Sequence, residues 1–259
     1  MRRLTGLVTC LILALLPLTT CRGDTVTVAA ASSLNYALPD LVRAFEDETG
    51  HRLRISYSSS GNLTRQIIQG APFEILLAAD EEHPRRLLER GWASALAPYA
   101  RGSLCLFLRD DPQLRSCGQG LSCLDGLLRE GRLERLALAN PDHAPYGVAA
   151  RQLLRRSGLW EGLQGRLAIA QNALQAAQYV ISGAARAGII PAALGNDPAL
   201  RGRGRCLPLP EAGESALLHV AALRHDAGDA ARRLFEWLRA PAAQAILARH
   251  GFLPPGPGR

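Results

Sequence analysis

Two serine clusters carry the chemistry that is easiest to read in this chain. Ala30-Ala31-Ser32-Ser33-Leu34 and Ser58-Ser59-Ser60-Gly61-Asn62-Leu63 each fall where an alternating apolar pattern gives way to a helical one. The first follows Val26-Thr27-Val28 and precedes Leu34, Leu38, Leu41, Val42 and Phe45. The second follows Leu53, Ile55 and Tyr57 and precedes Leu63, Ile67 and Ile68, with Gly70 placed to end the helix. At a strand-to-helix junction the first helical amides lack partners, the helix dipole is positive, and serine adds hydroxyl donors, so an anion can bind. Serine is equally a favoured helix cap that binds nothing. One junction alone decides little, but two in successive units point to a shared ligand.

Other chemistries find less support. Neither cluster contains a G-x-S-x-G elbow, and the histidines, His51, His83, His143, His219, His225 and His250, show no H-E-x-x-H or comparable metal spacing. An envelope enzyme is therefore the remote alternative, and no catalytic residue, cation site or cofactor is expected. His143 has no identifiable nucleophile partner and reads as a loop residue bonded to the backbone. Asp80-Glu81-Glu82 reads as charge complementing a helix start. Trp92, Trp160 and Trp237 lie far apart and read as packing residues.

The elements that must position the serines alternate strand with helix almost throughout, the signature of parallel sheets covered by helices. Strands are expected at Ile75–Ala79, Ser103–Leu108, Leu136–Ala139, Leu167–Ala170, Ala187–Ile190 and Leu217–Leu223, with terminal helices around Leu234 and Ile246. The segment after Leu108, rich in Asp, Gly and Cys, reads as a loop. This order predicts two doubly wound α/β domains, 24–102 plus 215–259 and 103–214, joined by crossings near 100–104 and 213–217. Their ligand cleft would lie between them, where strand carboxyl ends and helix N-termini meet.

Composition bounds the rest. The 259 residues are 47% apolar, ample for two cores. Arg2 and Arg3 followed by an apolar run from Leu7 to Leu18 read as a secretory signal over 1–21, cleaved near residues 20 and 21. Thr19-Thr20-Cys21 resembles a lipoprotein cleavage site except that Thr20 precedes the cysteine, so a periplasmic protein and one lipid-anchored through Cys21 both stay open. With Cys10 and a lipidated Cys21 set aside, Cys117 with Cys123 is the natural local disulfide and Cys105 with Cys206 follows by elimination. The net charge of +7 comes from arginines scattered along the chain. No basic block or interleaved aromatic pattern is present, so nucleic acid is not an expected partner. A monomer is expected.

Four segments together resemble a known family. Val26 to Leu34 (VTVAAASSL), Ser58 to Gln66 (SSSGNLTRQ), Gly70 to Asp80 (GAPFEILLAAD) and the loop from Asn140 to Gly147 (NPDHAPYG) are similar, in order, to segments of the periplasmic molybdate-binding proteins of ABC importers. The resemblance implies the type II periplasmic-binding-protein architecture and high-affinity capture of molybdate, with tungstate, for an inner-membrane permease. It implies a tetrahedral oxyanion held by uncharged groups: Ser33 and Ser60, Tyr146 at a third contact and the Ala173 backbone at a fourth. Ser32, Ser59 and Pro191 are weaker candidates. Where many members have Gly-Ile-Val-Tyr-Gly, this chain has Gly188-Ile189-Ile190-Pro191-Ala192, so Pro191 offers neither hydroxyl nor amide. Tyr146 is the hydroxyl that could replace it, and sulfate or another tetrahedral oxyanion is the alternative ligand.

Overall fold

The computed structural model describes residues 23–209 and 217–256. The expected signal segment, Cys21 and residues 213–216 of the second crossing lie outside them.

Ten strands form two five-stranded sheets among the described residues. The first has the order β2 (Arg52–Ser58), β1 (Thr25–Ala31), β3 (Ile75–Ala78), β10 (Leu218–Arg224), β4 (Ala93–Arg101). The second has β7 (Leu167–Ala170), β6 (Leu136–Ala139), β8 (Ala187–Pro191), β5 (Leu104–Arg109), β9 (Gly204–Pro208). β3 and β6 are buried along their whole length, as strands covered on both faces must be.

Each sheet is mixed rather than parallel throughout. β1 is parallel to β2 and β3, and β6 to β7 and β8, whereas β10 runs antiparallel to β3 and β4, and β5 antiparallel to β8 and β9. The antiparallel strands are those that the crossings deliver. Only Gly102 and Ser103 separate β4 from β5, so the chain passes directly from one sheet into the other.

Several elements escape the sequence reading, three of them substantial. β4 contains Pro98, which interrupts a strand pattern but is tolerated on an edge, and β4 is the edge of the first sheet. β9 is an edge strand as well. The segment expected as a loop after Leu108 contains the helix Gly120–Arg129, which buries Cys123, Leu124 and Leu127.

The two sheets have separate cores. In the first, the helix Leu38–Thr49 buries Phe45 edge-on against Trp237 at 5.5 Å, and Trp237 Nε1 donates to Glu48 Oε2 at 2.8 Å. That contact clamps the C-terminal helices Asp229–Trp237 and Pro241–Arg249 to the front of the chain. The second core, around Leu106, Phe107, Leu138 and Leu153, also takes in Ala31 and Ala79 from the first sheet.

Both disulfides lie on the second sheet's side: Cys105 is bonded to Cys206, tying β5 to β9, and Cys117 to Cys123. The Cys105–Cys206 bond spans a sequence separation of 101 residues against 6 for the other. A longer closed loop restricts the unfolded chain more. Replacing Cys105 and Cys206 by serine is expected to cost about 2–5 kcal/mol in chemical denaturation. Replacing Cys117 and Cys123 is expected to cost less.

Candidate anion-binding site

Strand register brings the serine clusters together. Ala31 pairs with Ser58 across β1 and β2, so both chains leave the sheet side by side. In the second sheet Ala139 pairs with Ala170, and the Asn140 amide donates to the Ala170 carbonyl at 2.7 Å. The loops that follow, one to Pro145 and Tyr146 and one to Ala173, therefore also leave together. These four exits surround a cavity of about 10 Å³ lined by Ala31, Ser32, Ser33, Ser58, Ser59, Ser60, Ala79, Ala144, Pro145, Tyr146 and Ala173. That is the room of a water or one small ion, far below the several hundred Å³ that an organic metabolite needs.

Three α-helices start at its wall. Ser59 caps the helix Ser60–Ile68, its Oγ accepting from the Asn62 amide at 3.3 Å. Asn172 caps the helix Ala173–Ile181, its Oδ1 accepting from the Gln175 amide at 3.0 Å. Proline at the first position opens the helix Pro145–Arg156, its lost amide being one the helix could not use. The amides of Ser60, Tyr146 and Ala173 thus lie in first turns, without intrahelical acceptors and at positive dipole ends. The first serine cluster differs from expectation. Ser32–Leu34 is a single 3-10 turn and the α-helix begins only at Leu38, next to Pro39.

The hydroxyls divide by what they already bond. Ser60 Oγ accepts from the Ala79 amide at 3.0 Å, Ser32 Oγ from the Leu174 amide at 3.5 Å, and Ser59 Oγ bonds His143 Nδ1 at 2.9 Å. Ser33 Oγ is buried with no hydrogen-bond partner. It lies near enough to Tyr146 to favour the phenolate, yet without the geometry of a bond. Burial outweighs that influence and holds the Tyr146 pKa well above its usual value, so the phenol stays neutral. No charged side chain lines the cavity.

Sequence reasoning placed Ser32, Ser33, Ser59, Ser60, Tyr146 and Ala173, and all six line this cavity. Pro191 does not. It ends β8, buried opposite Leu104. The reading missed Ser58, Ala79, Ala144 and Pro145, and it missed His219 behind Tyr146. Ser58 and Ala79 are where β2 and β3 run out, and strand ends at one edge were the signal available. His143 bonds more than backbone: it joins Ser59 through Nδ1, and its carbonyl accepts from the Gly61 amide at 2.9 Å. A Cβ on Gly61 would sit 2.7 Å from that carbonyl oxygen, so only glycine lets this helix approach the opposite loop.

A tight cavity of neutral donors at the ends of two α/β sheets has the chemistry that a small anion needs. The family model for bacterial extracellular solute-binding proteins matches residues 26–253. The chain belongs to this family. Among solute-binding relatives, the molybdate-binding protein ModA of Azotobacter vinelandii is 31% identical over 88% of this chain and 89% of its own length. ModA of Rhodobacter capsulatus is 29% identical over 87% and 88%. The solved periplasmic molybdate-binding protein of Azotobacter vinelandii superposes with a TM-score of 0.78 at 29% identity, covering 88% of this chain and 98% of that one. These relatives are solute-binding proteins, not enzymes, and the family is extracytoplasmic.

The bonding pattern separates the two main serines. Ser60→Ala should destabilise the protein by about 1–3 kcal/mol, because the buried Ala79 amide loses its acceptor. Ser33→Ala should leave the melting temperature unchanged or raised, because its hydroxyl satisfies nothing in the protein. Differential scanning fluorimetry without ligand checks both.

Proposed function

We propose that this protein captures molybdate, and tungstate with it, outside the cytoplasm and delivers it to the membrane permease of an ABC importer. The observation that carries this reading is the buried Ser33 hydroxyl, unpartnered in a cavity walled by three helix N-termini and no formal charge. Convergent N–H and O–H dipoles can replace the hydration shell of a dianion without a counter-ion. The ModA relatives, named for molybdate, support the choice of anion.

In this reading Ser33 and Ser60 give hydroxyls and amides, Tyr146 a hydroxyl, and Ala173 its amide. The segments 24–102 plus 215–259 and 103–214 act as two domains that close on the anion, shifting an open-to-closed equilibrium and presenting the closed surface to the permease. The protein acts as a monomer, and a lipid on Cys21 would keep it at the membrane. A cage whose amides and hydroxyls point their protons at the anion offers few acceptors for an anion that itself bears a proton, so phosphate binds poorly. Sulfate carries the same charge as molybdate, bears no proton and is smaller, so discrimination against it has to come from how far apart the donors are set.

Calorimetry on ligand-stripped protein with molybdate, tungstate, sulfate and phosphate tests this. Molybdate and tungstate should bind tightly, and Ser33→Ala and Ser60→Ala should each weaken molybdate about tenfold or more, the value of one hydrogen bond to a charged group. A preference for sulfate would assign the site to that anion, and unchanged affinity in both variants would remove the site assignment.

A further inference from the structure

His219 is fully buried on β10, in the first sheet, and joins two tyrosines, Tyr99 and Tyr146. Its Nδ1 lies 3.3 Å from Tyr99 Oη and its Nε2 lies 3.1 Å from Tyr146 Oη, while Tyr99 Oη also lies 3.3 Å from the Ala78 carbonyl oxygen. Phe252 packs edge-on against the imidazole at 5.2 Å. The space is kept open by Gly102, in the link between the sheets: a Cβ there would fall 1.9 Å from Tyr146 Oη and 3.1 Å from His219 Nε2.

A neutral imidazole carries one ring proton, donating from one nitrogen and accepting at the other. This chain of groups therefore has two self-consistent arrangements. In one, Tyr99 donates to the Ala78 carbonyl, His219 donates from Nδ1 to Tyr99, and Tyr146 must donate to Nε2. Tyr146 then turns only lone pairs toward the cavity, and they repel an anion. In the other, Tyr99 turns its one proton from the Ala78 carbonyl to Nδ1, His219 donates from Nε2 to the Tyr146 oxygen, and the Tyr146 proton is free for the cavity.

We propose that His219 is a positioning residue for anion recognition: in the anion-bound protein its ring proton sits on Nε2, which fixes Tyr146 as a donor to the anion. The inference rests on the Tyr146 contact proposed above. Imidazolium is excluded because burial lowers the His219 pKa to about 3, opposed only by the charge of Asp80. Burial likewise holds Tyr99 and Tyr146 neutral. A group two bonds behind the ligand thereby sets the polarity of the one phenol in the cavity wall and keeps that phenol from serving as acceptor for a protonated anion.

Nitrogen NMR of 15N-histidine-labelled full-length mature protein, saturated with molybdate, reads the tautomer directly. The expected result is a protonated Nε2 and an unprotonated Nδ1 for His219. An Nδ1–H tautomer or an imidazolium would overturn the inference. Calorimetry adds a functional reading. His219→Leu and Tyr146→Phe should each weaken molybdate about tenfold, with the double variant little worse than either. His219→Gln, whose amide can donate to Tyr146, should recover most of the loss. Fully additive losses would overturn the inference. If Tyr146→Phe binds like the parent, the Tyr146 contact itself fails. If it weakens binding while the spectrum shows Nδ1–H, only the role of His219 fails.

The buried imidazole also predicts an acid limit. On unfolding, His219 regains an ordinary pKa near 6.5 and takes up a proton that the folded state refuses down to about pH 3. Stability should therefore fall as pH drops through that window. The fall should be shallower in His219→Gln, as followed by urea denaturation at several pH values.

Discussion

An anion stripped of water in a cavity without a cation can be held only by dipoles, and dipoles act only where their backbone is fixed. The donors at this site belong to loops leaving four strands, so their positions are consequences of sheet register. The pairing of Ala31 with Ser58 sets one wall and the pairing of Ala139 with Ala170 sets the other. A one-residue slip in either pair would move a whole row of amides by more than 3 Å. The buried Ile, Leu, Val and Ala of the strand interiors, remote from the ligand, thus serve the site by locking the registers that aim it.

Closing the site also demands close backbone approach between the two sheets. The helix after Ser59 touches the loop of His143 through Gly61, and Tyr146 reaches His219 over Gly102. Both are places where a β-carbon would be a wedge. The polar groups between the sheets are paired across the divide, Ser59 with His143, Ser32 with Leu174 and His219 with Tyr146. The unpartnered Ser33 hydroxyl stands out against that background.

Much of this was legible in the chain. The serine clusters announced strand-to-helix junctions through a residue type that caps helices, Tyr146 and Ala173 entered through the family resemblance, and all of them line the cavity. The strand-helix alternation exposed the α/β plan because buried central strands read as short unbroken apolar runs. What stayed hidden was long-range. Edge strands such as β4 and β9 carry proline and glycine and lack a clean period. The antiparallel sense of β5 and β10 depends on how the chain crosses between sheets, which no local pattern records. His219 looked like any isolated histidine, because its meaning lies in two tyrosines 120 and 73 residues away. The periodicity of Leu34 to Phe45 ran through a 3-10 turn that sequence could not separate from the helix behind it.

The second sheet is a continuous piece of chain, from Leu104 to Pro208, whereas the first borrows β10 and its covering helices from the C-terminus. During N-to-C synthesis or threading, the half that begins later is therefore the half that can finish earlier. β1 to β4 must wait, with β3 and β4 lacking the strand that lies between them, until the last residues arrive. The opening segment is consequently the one with the longest unfinished edge, and any factor that shields a nascent sheet has its work at the front of this chain rather than at the back.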